Sequence, residues 1–349
     1  MLFAVTSLFA KDAPAPEAVV TDVHQDRAMN ASLPVCSAAA QVLHVVMKHK
    51  LPANLTGSVV QTASERSWCD AQFAQISSRE GGYYLGVPWF LEDFSGTSEE
   101  KLKAYAWKNL QDTMVATIDH TKTRDGLNHV TLFETTEHGK VPIHGDIDPA
   151  GTIFFLGHFY PIDSDIRAER LKNFAPMLAN APTEGASAPQ VTVIEFSDFQ
   201  CPACMHASTY LDSIMAKHGS QVRYIRYDLP LMSHHPWAFS AAVAGRAIYR
   251  QKPELFWEFK KQIYANQDKI SNFTVDEFTR GFAQDHELDL KKYDADVASA
   301  EVQNQILEGI GMAFSTDIRA TPTYLVNGAI VDPGDNGKAL EAYVEKQLK

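Results

Sequence analysis

The seven residues Val191-Thr-Val-Ile-Glu-Phe-Ser197 run through Asp198-Phe-Gln into Cys201-Pro-Ala-Cys204. A continuous β-rich run of this kind reads as a strand buried on both faces, and the residues from Pro202 to about Lys217 read as a helix. A buried strand leading into a helix is α/β logic. A cysteine at a helix N-terminus faces unpaired backbone N–H groups and the positive end of the dipole, which favour thiolate over thiol. Cys201 is therefore the candidate nucleophile. Cys204 lies one turn further on the same side, near enough to close a small disulfide ring, and Pro202 fits the first helical turn, where its missing N–H costs nothing. Half a zinc site would need a second pair of matching spacing, but Cys36 and Cys69 are 33 positions apart. A haem attachment needs His directly after the second cysteine, where Met205 stands. The pattern favours a redox pair and implies neither a metal nor a cofactor.

At 349 residues the chain has the length of two domains, each able to bury its own core. Hydrophobic residues at 45% and charged residues at 21% exclude a disordered, collagen-like or multi-span membrane chain. The formal charge of -12 makes nucleic acid and anionic membrane surfaces poor partners. Met1 to Ala10 is largely apolar and gives way to Lys11-Asp12 and a Pro/Ala stretch, which resembles the end of a secretory signal. Export, with a periplasmic or similar destination, is the expectation. The stretch between Ala179 and Val191 is rich in Pro, Gly, Ala and Ser and reads as a linker. The expected organisation is a signal-like segment over 1–20, an α+β domain over 21–179, a linker over 180–190 and an α/β domain over 191–349.

In the first half, Ser32 and Pro34 open an amphipathic helix to about His49. A second helix, capped by Ser98, carries Leu102, Tyr105, Leu110, Met114 and Ile118 and ends near His120. Strands are expected at Ser58–Gln61, Tyr83–Val87, His129–Phe133 and Thr152–Phe159. In the second half Gln221–Asp228 reads as a strand, 236–314 as a helical insertion, and Thr323–Val326, Asn327-Gly328 and Ala329–Val331 as a hairpin before a last helix from Gly337 to Leu348. Glu195, on the buried strand without a basic neighbour in sequence, is a candidate proton shuttle for Cys204; an exposed, idle carboxylate is the alternative. Asp198 reads as a cap for the turn into the helix. Pro322 opens the hairpin strand and is a candidate cis proline, although a proline there is also tolerated in trans. His234 and His235 read as a solvated loop. Tyr249, Phe256, Trp257, Phe259 and Tyr264 read as core of the insertion.

With these residues in place, the second half resembles the DsbA-type branch of the thioredoxin-like thiol:disulfide oxidoreductases. The resemblance covers about 188–349. It rests on Val193 to Cys204, on Phe256-Trp-Glu-Phe259 and on Ala320-Thr-Pro-Thr-Tyr-Leu-Val-Asn-Gly328. It implies a thioredoxin-like fold with a helical insertion, attack by Cys201, resolution by Cys204 and service of the buried thiol by Glu195. It also implies a cis Pro322 pressing on the disulfide, substrate backbone held by Thr321, and substrate contact by Pro202 and Ala203. The pair between the cysteines is Pro-Ala rather than the Pro-His common in strong oxidants, which argues against strong oxidising power. Ile147 to Tyr160 is similar to the end of the dimerisation domain of DsbC- and DsbG-like isomerases, which implies a homodimer through the N-terminal domain.

The implied partners are cysteine-containing substrate proteins and a membrane redox partner of oxidase or reductase type, and the implied activity is disulfide exchange as oxidase or isomerase. In an exported protein Cys36 and Cys69 are most simply a structural disulfide, worth roughly 3 to 4 kcal/mol in the chain-entropy model. A second redox relay is the alternative. A reading from another class is a peptide-binding or chaperone module whose cysteine pair is inert; its Cys201 would titrate near the ordinary value of about 8.5.

Overall fold

The computed structural model describes residues 42–50, 56–63, 73–77, 82–85, 89–124, 126–161, 165–316, 318–331 and 333–349. The signal-like segment and both Cys36 and Cys69 lie outside them. The chain forms two compact units. One runs to Arg170 and takes in Gly311–Arg319; the other comprises Leu171–Ile310 and Ala320–Lys349.

The first unit is α+β. Strands β1 (Val42–Lys50), β2 (Thr56–Ala63), β3 (Phe73–Ser77) and β4 (Gly82–Leu85) follow one another in one antiparallel sheet. After β5 (Trp89–Phe90) comes the helix α1 (Ser98–Tyr105), and then β6 (Met114–Arg124), β7 (Leu127–Thr136), β8 (Gly139–Ile147) and β9 (Ile153–Leu156). A second sheet has the order β5-β9-β8-β7-β6. Strand β10 (Phe159–Pro161) returns to pair with β4. The expected single strand over Thr152–Phe159 is broken at Gly157, whose φ of 101° lets the chain leave one sheet for the other. Asp148 ties the turn that precedes β9, its buried carboxylate accepting from the N–H groups of Thr152 at 2.6 Å and Ile153 at 2.7 Å.

Two expected helices differ here. From Val42 on, the segment expected as a helix to His49 forms β1, which runs to Lys50. Val42, Val45 and Val46 suit a pleated ladder as well as a helix face, and pairing with β2 decides between them. The helix expected to His120 ends far earlier. Thr97 rather than Ser98 caps α1, in a reciprocal capping box with Glu100. A wide turn over Ala106–Leu110 follows, and Gln111 at φ 55° stops it. Met114 and Ile118, four apart as on a helix face, instead lie on β6 paired with Glu134 and Val130.

The second unit is built on a five-stranded sheet of order β11-β13-β12-β14-β15. Its strands are β11 (Thr183–Gly185), β12 (Val191–Ser197), β13 (Val222–Asp228), β14 (Thr323–Val326) and β15 (Ala329–Val331). The helix α2 (Ile166–Leu178) leads into it. Strand β12 is central, parallel to β13 and antiparallel to β14, so six of its seven residues are buried, as its unbroken apolar run requires. The helix α3 (Pro202–His218) connects β12 to β13. The expected linker is not all irregular: Thr183–Gly185 pairs with β13 at the sheet edge. Asn327 and Gly328, at φ 48° and 81°, make the tight hairpin between β14 and β15. The insertion contains α4 (Ala238–Gln251), α5 (Leu255–Ala265), α6 (Val275–Asp285), α7 (Leu290–Val297) and α8 (Ala300–Ser315), and α9 (Lys338–Gln347) closes the chain.

Two cores form within this unit. Leu211 and Ile214 of α3 and Leu340 and Val344 of α9 pack with Val191, Val193, Val222 and Tyr224. Phe256, Phe259, Ile263 and Tyr264 of α5 pack with Phe199, Trp237, Cys201 and Cys204. The aromatic residues of the insertion are therefore core, as expected, and that core encloses the cysteines. Among the described residues no helix is long and apolar enough to cross a membrane.

Candidate active site at the helix N-terminus

Cys201 is the N-cap of α3, with extended backbone at φ -74° and ψ 119°, and Pro202 occupies the first helical turn. The fit of sequence to geometry is local. Proline is pre-set for that turn, and Asp198, whose carbonyl accepts from the Cys201 N–H at 3.3 Å, closes the bend out of β12. Both cysteines are free thiols; Cys201 is 7% exposed and Cys204 fully buried. Pro202 and Ala203 between them are exposed.

The two thiols are driven in opposite directions. A hydrogen bond from the Cys204 thiol is the main cause that brings Cys201 down from the ordinary 9.0 to about 6. Burial opposes it, Thr321 and the Cys204 backbone N–H add to it, and the Asp198 carboxylate acts against it. Burial pushes Cys204 well above the ordinary range, and its bond to Cys201 and the charges of Cys201 and Glu195 push it further. The Asp198 N–H donates to the Cys204 sulfur at 3.5 Å.

Thr321 stands against Cys201, its carbonyl accepting from the Cys201 thiol at 3.5 Å, and the Thr321-Pro322 bond is cis. Glu195 is not exposed and idle: it is 2% exposed, its carboxylate accepting from the Ser197 hydroxyl at 3.1 Å and from the Tyr224 hydroxyl. Nor does it lack a basic neighbour in the fold, since Arg226 lies opposite it in register on β13. Ser197 continues the chain of polar groups to Tyr264, 3.1 Å away.

His235 does not sit in a solvated loop: its Nδ1 lies 2.7 Å from the Asp198 carboxylate, which raises its proton affinity. Asp198 does more than cap a turn, accepting from the backbone N–H of Gln200 at 2.7 Å and of Leu231 at 2.8 Å as well. Tyr224 and Ser197 were not singled out from the sequence, and Tyr264 and His235 were read there only as core and loop, because no local pattern marks Tyr224, Tyr264 or His235 as a partner of a residue 29 to 67 positions away. Among the described residues one group of metal-ligating side chains converges, His218, Glu341 and Glu345. It lies at the opposite end of α3 from the cysteines, and Lys217 already pairs with Glu341.

The site lies in the half of the chain that is similar to known proteins. The Thioredoxin_4 family model, described as thioredoxin, matches residues 179–346. The Na(+)/H(+) antiporter NhaA of Herminiimonas arsenicoxydans is 28% identical over 177 residues, 49% of this chain and 27% of that protein. NhaA 3 of Salinispora tropica is 32% identical over 154 residues, 44% and 22% of the two. The chain thus spans about a quarter of the length of these curated relatives. Among solved structures, oxidised BdbD of Bacillus subtilis is 22% identical at a TM-score of 0.43, covering 49% of this chain and 94% of that one. The catalytic domain of Proteus mirabilis ScsC is 17% identical at a TM-score of 0.43, covering 52% and 97%. Residues 179–346 thus match the thioredoxin family model, and the C-terminal half of this chain has a thioredoxin-like fold with a helical insertion.

Proposed function

We propose that the chain exchanges disulfides with cysteines of other proteins, as a thiol:disulfide oxidoreductase of the DsbA type. The observation that carries this reading is the split acidity of the pair. At about 6, Cys201 is about nine-tenths thiolate at pH 7, against about 1% for a thiol at the ordinary 9.0. An inert pair needs no such asymmetry.

The Cys201 thiolate attacks one sulfur of a substrate disulfide; a Cys201–substrate disulfide forms, and the other substrate sulfur leaves as a thiolate. Cys204 then gives up its proton, with Glu195 as the acceptor we assign. It attacks the Cys201 sulfur and expels the second substrate sulfur. The substrate gains two electrons and the pair is oxidised to a disulfide; the reverse sequence oxidises a substrate dithiol. The Thr321 carbonyl and the exposed Pro202 and Ala203 border the nucleophile and form the substrate-facing rim. The substrates are exported proteins, a membrane redox partner resets the pair, and the isomerase role rests on the dimer implied by Ile147 to Tyr160.

The deciding experiment uses the full chain. Cys204→Ser should accumulate mixed disulfides with a reducible protein substrate, and Cys201→Ser should neither exchange nor form adducts. Alkylation of the reduced protein should follow a single thiol with a midpoint near 6. Loss of exchange in both variants without any trapped adduct, or greater reactivity at Cys204, would overturn the assignment.

A further inference from the structure

The residues just before Cys201 are clamped to the loop between β13 and α4 by more than one bond. The Asp198 carboxylate holds the Leu231 N–H at 2.8 Å and His235 Nδ1 at 2.7 Å, and the Gln200 side chain accepts from the Trp237 N–H at 2.9 Å. Trp237 is packed in the same core as both cysteines. His235 is therefore fixed against the turn that presents the nucleophile, while its side chain keeps 18% of its surface exposed. Asp198, by contrast, is 1% exposed, and its negative charge works against the Cys201 thiolate. Between the cysteines stands Ala203, which offers no charge of its own.

We propose that His235 is a positioning residue of this site: bonded to Asp198, it sets a positive charge beside Cys201 that offsets the Asp198 carboxylate and supports the thiolate. Two groups raise the proton affinity of His235: Asp198, from the turn after β12, which it touches, and Cys201, at the start of α3, whose charge reaches it. Such an interaction is reciprocal, so the imidazolium favours the Cys201 thiolate by the amount that the thiolate favours the imidazolium. Cys204 and Thr321 act on Cys201 directly, and Glu195 acts on Cys204. His234, the next residue on the loop, turns to Ser233 instead, with its Nδ1 2.9 Å from that hydroxyl. Because only the reduced form carries the thiolate, His235 binds its proton more tightly in the reduced than in the oxidised protein. The charge therefore makes the pair more oxidising while His235 is protonated and ceases to act once the pH exceeds its raised pKa.

This inference rests on the exchange activity proposed above, and one experiment separates the two. The equilibrium of the Cys201–Cys204 pair with glutathione is measured from pH 5 to 9 for the wild type, His235→Gln, which keeps a donor toward Asp198, and His235→Lys, which keeps the charge. At pH 7 His235→Gln should favour the disulfide by roughly three- to tenfold, about 15 to 30 mV, and His235→Lys should stay near the wild type. The wild-type profile should carry an inflection that His235→Gln lacks. A wild type that exchanges normally but shows no such inflection, or a Gln variant whose profile overlays it, overturns the role of His235 and leaves the exchange reading intact. A wild type that never equilibrates with glutathione overturns the exchange reading itself.

Discussion

Cys201 and Cys204 are one helical turn apart, yet one is drawn down to about 6 and the other pushed well above the ordinary thiol. The helix N-terminus and the hydrogen bond between the sulfurs serve Cys201; complete burial acts on Cys204. The resolving step therefore needs a proton acceptor near a thiol that holds its proton, and Glu195 is the carboxylate whose charge reaches it. Glu195→Gln should keep the attack by Cys201 and slow resolution of a Cys201–glutathione adduct by an order of magnitude or more, as expected for loss of a positioned acid or base. Rapid-quench measurement of adduct decay decides it; decay at the wild-type rate would release Glu195 from this role. The Cys pair was marked by a helix start, Pro322 by a strand opening and Glu195 by its place within an unbroken apolar run, whereas Thr321 was named through the resemblance. The partners of Glu195 and Asp198 had no such mark.

At the scale of elements, the strands and helices around the site followed from local pattern, whereas those of the first unit followed it less well. β12, β14 and β15 coincide with the expected segments, since an unbroken apolar run or an Asn-Gly turn leaves the backbone one favourable arrangement. β1 and β6 do not, because their apolar spacing suits a helix face and a strand alike, and only the neighbouring strand supplies the deciding hydrogen bonds. The β7–β9 region also builds a row of imidazoles: His129 and His144 have ring centroids 5.4 Å apart, and His144 and His158 6.3 Å. Burial first, and then the neighbouring His144, holds His158 down from the ordinary 6.5 to about 4. The unfolded chain takes up this proton below about 6.5, while the folded unit refuses it until about 4. The associated stability is therefore intact above 6.5 and is lost as the pH falls through that window, by about 3 kcal/mol at its lower end. Urea unfolding of the full chain at pH 7 and pH 4.5 should show a clearly smaller acid loss for His158→Gln than for the wild type; equal losses would mean that His158 does not carry it.

For the molecule as a whole, the proposed pairing of two chains through the N-terminal domain predicts a dimer mass by light scattering on the full-length protein, and a monomer would remove the basis for isomerase activity. Non-reducing peptide mapping should find Cys36 joined to Cys69 and neither joined to Cys201. The Cys36→Ala, Cys69→Ala double variant should lose roughly 3 to 4 kcal/mol of stability while keeping exchange. The α/β character of the second half and the strand-to-helix setting of Cys201 were legible in the sequence alone. Each depends on neighbours within about a turn of helix or a single strand, where chain connectivity fixes the geometry. The tertiary structure alone decided that His235 meets Asp198, that Tyr224 holds Glu195, and that Met114 to Arg124 is a strand. In these cases the free energy lies in hydrogen bonds and burial between residues far apart in the chain, and those terms acquire a value only once the backbone has brought the partners together.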